Sequence, residues 1–253
     1  MEGIPLLEFD HDKSALIEPT MVCGNMTLPE YCVMPFYGSV IEKLRKDGRL
    51  EKVCELGSIP VPKEVYKMEH DGRFVIVVCP GVGAPLAAAT FEEVIALGCR
   101  KFVACGSAGV LKAELKRGAI VIPSSAIRDE GTSFHYLPPS RTVEMDNEVI
   151  GKLEAVLKKH HIKYEIGVTW TTDAVYRETK GKIAKRKAEG CLTVEMECSA
   201  LLAVAKYRNV AFGQYLLAGD DVSGDEWDPR DVFDKSPVHE KIFWLSVEAV
   251  LSL

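Results

Sequence analysis

RFVIVVCPGVGAPLAAATFEEVIALGCRKFVAC, residues 73–105, decides the fold. Residues 73–79 are a short apolar run rich in β-branched side chains, the pattern of a strand covered on both faces. Pro80-Gly81-Val82-Gly83-Ala84-Pro85 is turn chemistry. Residues 84–97 then predict a helix, with Pro85 tolerated in its first turn and Gly98 at its C-terminal end. Residues 101–105 form a second apolar run, and the helix between the two runs makes them parallel. Strand, helix and strand in that order are the unit of an α/β fold.

The alternation continues downstream. Residues 119–123, 164–171, 192–194 and 210–218 predict strands, and residues 146–161, 196–208 and 238–251 predict helices. The first of these helices carries Val149, Ile150, Leu153, Val156 and Leu157 at helical spacing. Upstream, residues 1–72 yield one helix, at 37–47, and no assigned strand. No repeat, low-complexity tract or linker divides the chain, so one α/β domain over residues 1–253 is expected.

The 253 residues are 47% hydrophobic and 27% charged, enough for a sizeable core and against long disorder. With 31 Lys and Arg against 37 Asp and Glu the formal charge is -6, which argues against a nucleic-acid partner. No apolar run approaches the ~18 residues of a membrane span. Met1-Glu2-Gly3-Ile4-Pro5 has no basic segment followed by an apolar stretch, and none of the eight cysteines forms a CxxC pair. A cytoplasmic protein with reduced thiols and no metal site is the expectation.

Ligands of open α/β sheets bind beyond the carboxyl ends of the strands. Four segments are expected to be loops there: residues 80–85, 106–109, 171–176 and 219–221. Gly81-Val82-Gly83 begins like a dinucleotide fingerprint. The third glycine position is Leu86, however, and residues 98–103 hold no acid, so a tight turn is the competing reading. Gly106-Ser107-Ala108-Gly109 offers backbone N–H groups and a hydroxyl to an anion, or is simply a turn of small residues. Glu195-Met196-Glu197 stands between two apolar segments; its acids either cap a helix or receive vicinal sugar hydroxyls. Asp220-Asp221 ends an apolar strand, where one of two adjacent acids can keep its proton near neutral pH, or where both merely open a turn into Ser223-Gly224.

Taken together, GVGAP (81–85), FVACGSAGVL (102–111), RDEGTSFHY (128–136), GVTWTTDAVY (167–176), VEMECSAL (194–201) and AGDDVSG (218–224) resemble the nucleoside phosphorylase family. That family includes bacterial hexameric purine nucleoside phosphorylase, uridine phosphorylase and the methylthioadenosine nucleosidases. The resemblance covers roughly residues 70–250. It implies a mixed central β-sheet flanked by helices. The activity it implies is a pentosyltransferase that cleaves a nucleoside with phosphate as co-substrate and needs no cofactor. The assembly it implies is a dimer-based homo-oligomer, up to a hexamer. Carried over by position, Glu195, Met196 and Glu197 hold the ribose, with Glu197 on the 2′- and 3′-hydroxyls. Val175 and Tyr176 stack on base or ribose, Asp220 serves a purine at N7, and Gly81, Gly106 and Ser107 contact phosphate. Arg230 supports Asp220.

The resemblance breaks at the phosphate pocket. Ala104 stands where the family has an arginine, and Val33-Met34-Pro35-Phe36-Tyr37-Gly38 puts Phe36 at the glycine of a GDPxR loop. Arg45, Arg49, Arg100, Arg128 and Arg141 are candidate substitutes. The acid at position 220 favours purines over pyrimidines, while Val175 replaces the usual Phe. Three activities stay open: phosphorolysis of a purine nucleoside (a uridine phosphorylase-like activity beside it), hydrolysis of the same bond by water, and nucleoside binding without turnover. Glu42 is the nearest acid for activating a water. His11 and His135 are candidate sugar contacts, packed or solvated histidine being the alternative.

Overall fold

The computed structural model describes residues 3–57, 62–230 and 237–253. The chain passes through α1 (Pro19–Val22), β1 (Tyr31–Pro35), α2 (Gly38–Lys46), β2 (Glu51–Leu56), β3 (Lys63–His70), β4 (Arg73–Val78) and α3 (Ala84–Ala96). It continues through β5 (Lys101–Val110), β6 (Ile120–Asp129), β7 (Thr142–Glu144), α4 (Asn147–Lys159), β8 (Tyr164–Thr172) and α5 (Lys180–Ala188). Last come β9 (Cys191–Glu195), α6 (Cys198–Arg208), β10 (Ala211–Asp221) and α7 (Pro237–Ser252). The expected α/β class, a mixed sheet flanked by helices, is what forms.

β5 is the branch point of the sheet. β1 pairs parallel with its first half, from Tyr31 opposite Lys101 to Pro35 opposite Cys105. β10 runs parallel along its other edge, from Ala211 opposite Lys101 to Ala218 opposite Ala108. β9 joins antiparallel only at Gly109 and Val110. Because β10 also pairs β6, β6 pairs β8 and β8 pairs β9, these five strands close into a ring. β4, β3 and β2 extend the sheet beyond β1. β4 and β5 are parallel as expected, but β1 lies between them.

Two loops expected at strand ends are strand. Residues 106–109 belong to β5 and residues 219–221 to β10. The small residues Gly106, Ala108 and Ala218 let the two backbones stay paired past the point where the apolar run ends. The register shifts between Ala218 and Asp221. Residues 106–109 are therefore no nest of free amides. On the side away from β10, β1 pairing stops at Cys105 and β9 pairing starts at Gly109, so one edge is open between them.

Helix formation follows the sequence signals. Asp146 caps α4, its carboxylate accepting from the Glu148 N–H at 2.7 Å. The predicted apolar stripe of α4 is buried, and Tyr215 of β10 donates to the Leu153 carbonyl at 2.7 Å to dock the two elements. Phe91 of α3 meets Phe102 of β5 edge-on at 4.6 Å. In α6 residues 198–205 are all buried, as in a helix apolar on every side. It ends at Asn209, whose φ of 54° is the left-handed stop. Among the described residues no helix is long and apolar enough to cross a membrane.

Candidate active site

A cleft of ≈ 400 Å³ opens over the carboxyl ends of β5, β9 and β10. Of the residues singled out from sequence, Gly106, Ser107, Val175, Glu195, Met196, Glu197 and Asp220 line it. Gly81 and Tyr176 do not. Gly81 is a turn residue at φ 85°, where an added Cβ would strike Leu86, and its neighbour Val82 reaches the cleft instead. Tyr176 is 96% exposed and points away. Two hollows of ≈ 630 Å³ and ≈ 480 Å³ lie elsewhere, against residues 10–22 and at the amino end of β10, away from these strand ends.

The β9–α6 junction brings Glu195, Met196 and Glu197 to the cleft. Glu195 is buried, and three donors converge on its carboxylate: Thr171 Oγ1 at 2.6 Å, the Glu197 N–H at 2.7 Å and the Cys198 N–H at 2.6 Å. It therefore caps the first turn of α6, a role that an acid at a helix start suits. Thr171 in turn accepts from the Ser199 N–H at 3.0 Å. Glu197 is 6% exposed and takes the Gly83 N–H on Oε1 at 2.6 Å. Burial raises both carboxyls, and Glu197 adds to the rise at Glu195. The pair keeps a proton near neutral pH.

At the far end of β10, Trp227 Nε1–H donates to Asp220 Oδ2 at 2.7 Å. Asp220 has its side chain against Gly109, where an added Cβ would stand 3.7 Å from Oδ1. Asp221 is not its electrostatic partner. Burial acts to raise Asp221, but bonds from Ser223 and the Arg230 guanidinium hold it below the ordinary carboxylate range. Arg230 thus serves Asp221 and the Leu115 carbonyl, and not Asp220 as the resemblance implied. The acid that couples to Asp220 is Glu178, just after the one-turn helix Val175–Arg177. Burial and the Asp220 charge push Glu178 up to about 7. Glu178 stands outside the motifs that carry the resemblance, two residues past Tyr176.

The remaining end holds no acid, and Arg117 stands with Ser107 and His239 in an adjoining hollow. Ser107 Oγ meets the Tyr37 hydroxyl at 3.2 Å, and Tyr37 stacks on His239 at 4.0 Å. Phe36 packs against Gly106, 3.0 Å from where a Cβ would stand. Gln214 of β10 completes this wall. It is 1% exposed, and its Oε1 has no protein partner among the described residues. An unmet buried acceptor costs about 1–3 kcal/mol. A lone Gln inside AFGQYLLA (211–218) was a legible signal, since every neighbour there is apolar or glycine.

None of the described residues lining the cleft is Lys or Arg. The five candidate arginines are engaged elsewhere, Arg45 with Tyr66 and Glu64. Arg128 donates to Ser133, Pro138 and Ser140, Arg100 to Ile95 and Cys99 carbonyls, and Arg141 to Glu189. Arg49 lies over the Trp244 ring. RDEGTSFHY is therefore scaffold: Glu130 accepts from Ser199 of α6 at 2.9 Å and from the Ser133 N–H at 3.0 Å. Its His135 lines the hollow against residues 10–22 and not the cleft. Among the described residues no cluster of His, Cys, Asp and Glu is placed to hold a metal ion.

The family model of the phosphorylase superfamily matches residues 32–240. A guanosine phosphorylase from Halorubrum lacusprofundi is 25% identical over 81% of this chain and 90% of its own length. A uridine phosphorylase from Treponema pallidum is 30% identical over 80% of this chain and 84% of its own. The crystal structure of uridine phosphorylase from Vibrio fischeri superposes with a TM-score of 0.72, covering 94% of this chain and 95% of that one, at 19% identity. That last likeness is one of fold. With the match spanning the cleft and most of the sheet, the chain belongs to the phosphorylase superfamily and is a nucleoside phosphorylase, a pentosyltransferase.

Proposed function

We propose that this enzyme cleaves the N-glycosidic bond of a purine nucleoside with phosphate, releasing the free base and pentose 1-phosphate. The observation that carries the reading is the carboxyl pair Glu178 and Asp220 beside the sugar-facing Glu197 in one cleft. A purine leaves with negative charge on its imidazole ring, and a carboxyl holding a proton near pH 7 neutralises it at N7. Glu197 receives the 2′- and 3′-hydroxyls and places negative charge beside the cationic sugar ring of the transition state. A phosphate oxygen bonds to C1′ as the C1′–N9 bond breaks, and the bonding pair leaves on the base. The base takes its proton from the carboxyl pair, which recovers one from hydrogen phosphate.

The guanosine phosphorylase relative supports a purine, and the uridine phosphorylase relatives keep a pyrimidine as the second reading. The cleft wall without Lys or Arg favours hydrolysis as the third. One experiment separates them: base release from guanosine, inosine, adenosine and uridine, with and without phosphate, with identification of the sugar product. Pentose 1-phosphate from purines supports the reading. Free pentose made at the same rate without phosphate, or turnover of uridine alone, ends it. A homo-oligomer belongs to the same reading, since Leu16 and Ile17 expose apolar surface that a second copy of the chain would cover. Light scattering on the purified protein checks this.

A further inference from the structure

Gln214 and Phe36 flank the same level of β5 from opposite sides. Gln214 pairs in register with Ala104, and the Phe36 N–H bonds the Cys105 carbonyl at 2.9 Å. Tyr37 and Ser107 follow immediately, joined through their hydroxyls. Asp220 stands six positions further along β10, level with Gly109 and Val110. The base and the nucleophile therefore have separate places along one strand pair. Ala104 brings only a methyl group to the nucleophile level. The polar side chain there is its register partner Gln214, buried and with an unmet acceptor.

The geometry points to Gln214 as the residue that binds the phosphate co-substrate and selects its hydrogen-bearing form. A carboxamide carries both functions that hydrogen phosphate needs. Its N–H donates to a phosphate oxygen, and its carbonyl accepts from the P–OH. A half-turn of the amide exchanges the two atoms and leaves the same pair of functions. Sulfate has no hydrogen at neutral pH, so against Oε1 it presents lone pair to lone pair and is rejected. A neutral amide also recognises the anion without a full charge, at the level where Ala104 supplies none. The Tyr37 and Ser107 hydroxyls, joined to each other by one of their two hydrogens, add one further donor. The second unmet buried atom of the chain's described residues, Arg186 Nε, lies with Asp129 and Glu189 outside the cleft and has no such setting.

This assignment rests on the phosphorolysis reading, and its test keeps the two apart. Phosphate is varied at saturating nucleoside for wild type, Gln214→Leu and Gln214→Glu, with sulfate as inhibitor. Nucleoside affinity is measured separately without phosphate. Gln214→Leu is expected to lower kcat/KM for phosphate by at least ~10-fold, as loss of a hydrogen bond to a charged ligand does, with nucleoside affinity unchanged within a factor of ~2. Discrimination of phosphate over sulfate is expected to fall with it. Gln214→Glu keeps the shape and is expected to lose more, recovering as pH falls and the carboxyl protonates. Unchanged phosphate kinetics and unchanged sulfate discrimination in a variant that still binds nucleoside overturn the assignment, and Gln214→Glu alone decides it if the Leu variant does not fold. Wild-type enzyme that makes free pentose without phosphate overturns the phosphorolysis reading, and this assignment with it.

Discussion

At one end of the cleft the charge of Asp220, which accepts from Trp227, raises Glu178, while at the other Tyr37, Ser107, Gln214 and His239 bring no acid. The contrast shows where each piece of negative charge is handled. Like charges a few ångströms apart in a partly buried site cost several kcal/mol unless a proton is retained. The acidic end therefore holds a proton and suits a leaving group that needs one. On the proposed reading an incoming anion binds at the end without acids, away from that pair. Glu197 lines the same cleft, and on the proposed reading it faces the positive charge that develops on the sugar.

The largest effect tests the acidic end directly. Asp220→Asn removes the acid while keeping the bond to Trp227 possible, and kcat for a purine nucleoside is expected to fall by at least ~10²-fold. Retention of near-normal turnover would remove Asp220 from the chemistry and leave the contrast between the ends without meaning.

Glu197→Ala comes next. Hydrogen bonds to a charged group contribute about 1.5–3 kcal/mol, so kcat/KM for a ribonucleoside is expected to drop roughly 10- to 100-fold. The 2′-deoxynucleoside, which makes one bond fewer, loses less. Equal losses on both sugars would place Glu197 in the scaffold with Glu195. Glu178→Gln is the third. It removes the charge that couples to Asp220, so the alkaline limb of the pH–rate profile is expected to shift and activity at neutral pH to fall roughly tenfold, one pKa unit's worth. An unshifted profile would make Glu178 a bystander.

How much of this was legible in sequence differs sharply between the two ends. Asp220, Glu197 and Ser107 stand in motifs that run on from apolar strands, so their place at strand ends followed from the α/β pattern. The grouping of Phe36 and Tyr37 with Ser107 and Gln214 did not, because these residues come from three distant segments. Phe36 and Tyr37 follow β1, a five-residue strand that pairs only because β4 and β5 lie on either side of it. β2 and β3 went unassigned for a similar reason: Glu51, Lys52, Glu55, Lys63 and Glu64 load an edge hairpin with charges that periodicity counts as loop. The loops expected at residues 106–109 and 219–221 failed oppositely. Glycine and acid signal turns locally, but ladder pairing between β5 and β10 overrode them. Glu178 carried no signal, since it lies past the end of the motif at residues 167–176.

The smallest expected effect reads the carboxyls through stability. Glu178 and Glu197 are each pushed up to about 7, from an ordinary value of 4.5, chiefly by burial. A carboxyl raised on folding binds more protons folded than unfolded between those two values. Stability is then greatest below about pH 4.5 for these groups and declines as pH climbs through 7. Asp129 and Asp221 are lowered instead, and their contribution is lost only in stronger acid, outside this window. The melting temperature of the unliganded protein is thus expected to fall between pH 6 and pH 8. Glu178→Gln should flatten that slope without raising the whole curve, because it removes one titration and leaves the sugar-end pair intact. A slope that is flat in wild type, or unaltered by the substitution, would mean that the acid end carries no retained proton, and the cleft would lose the asymmetry on which its chemistry depends.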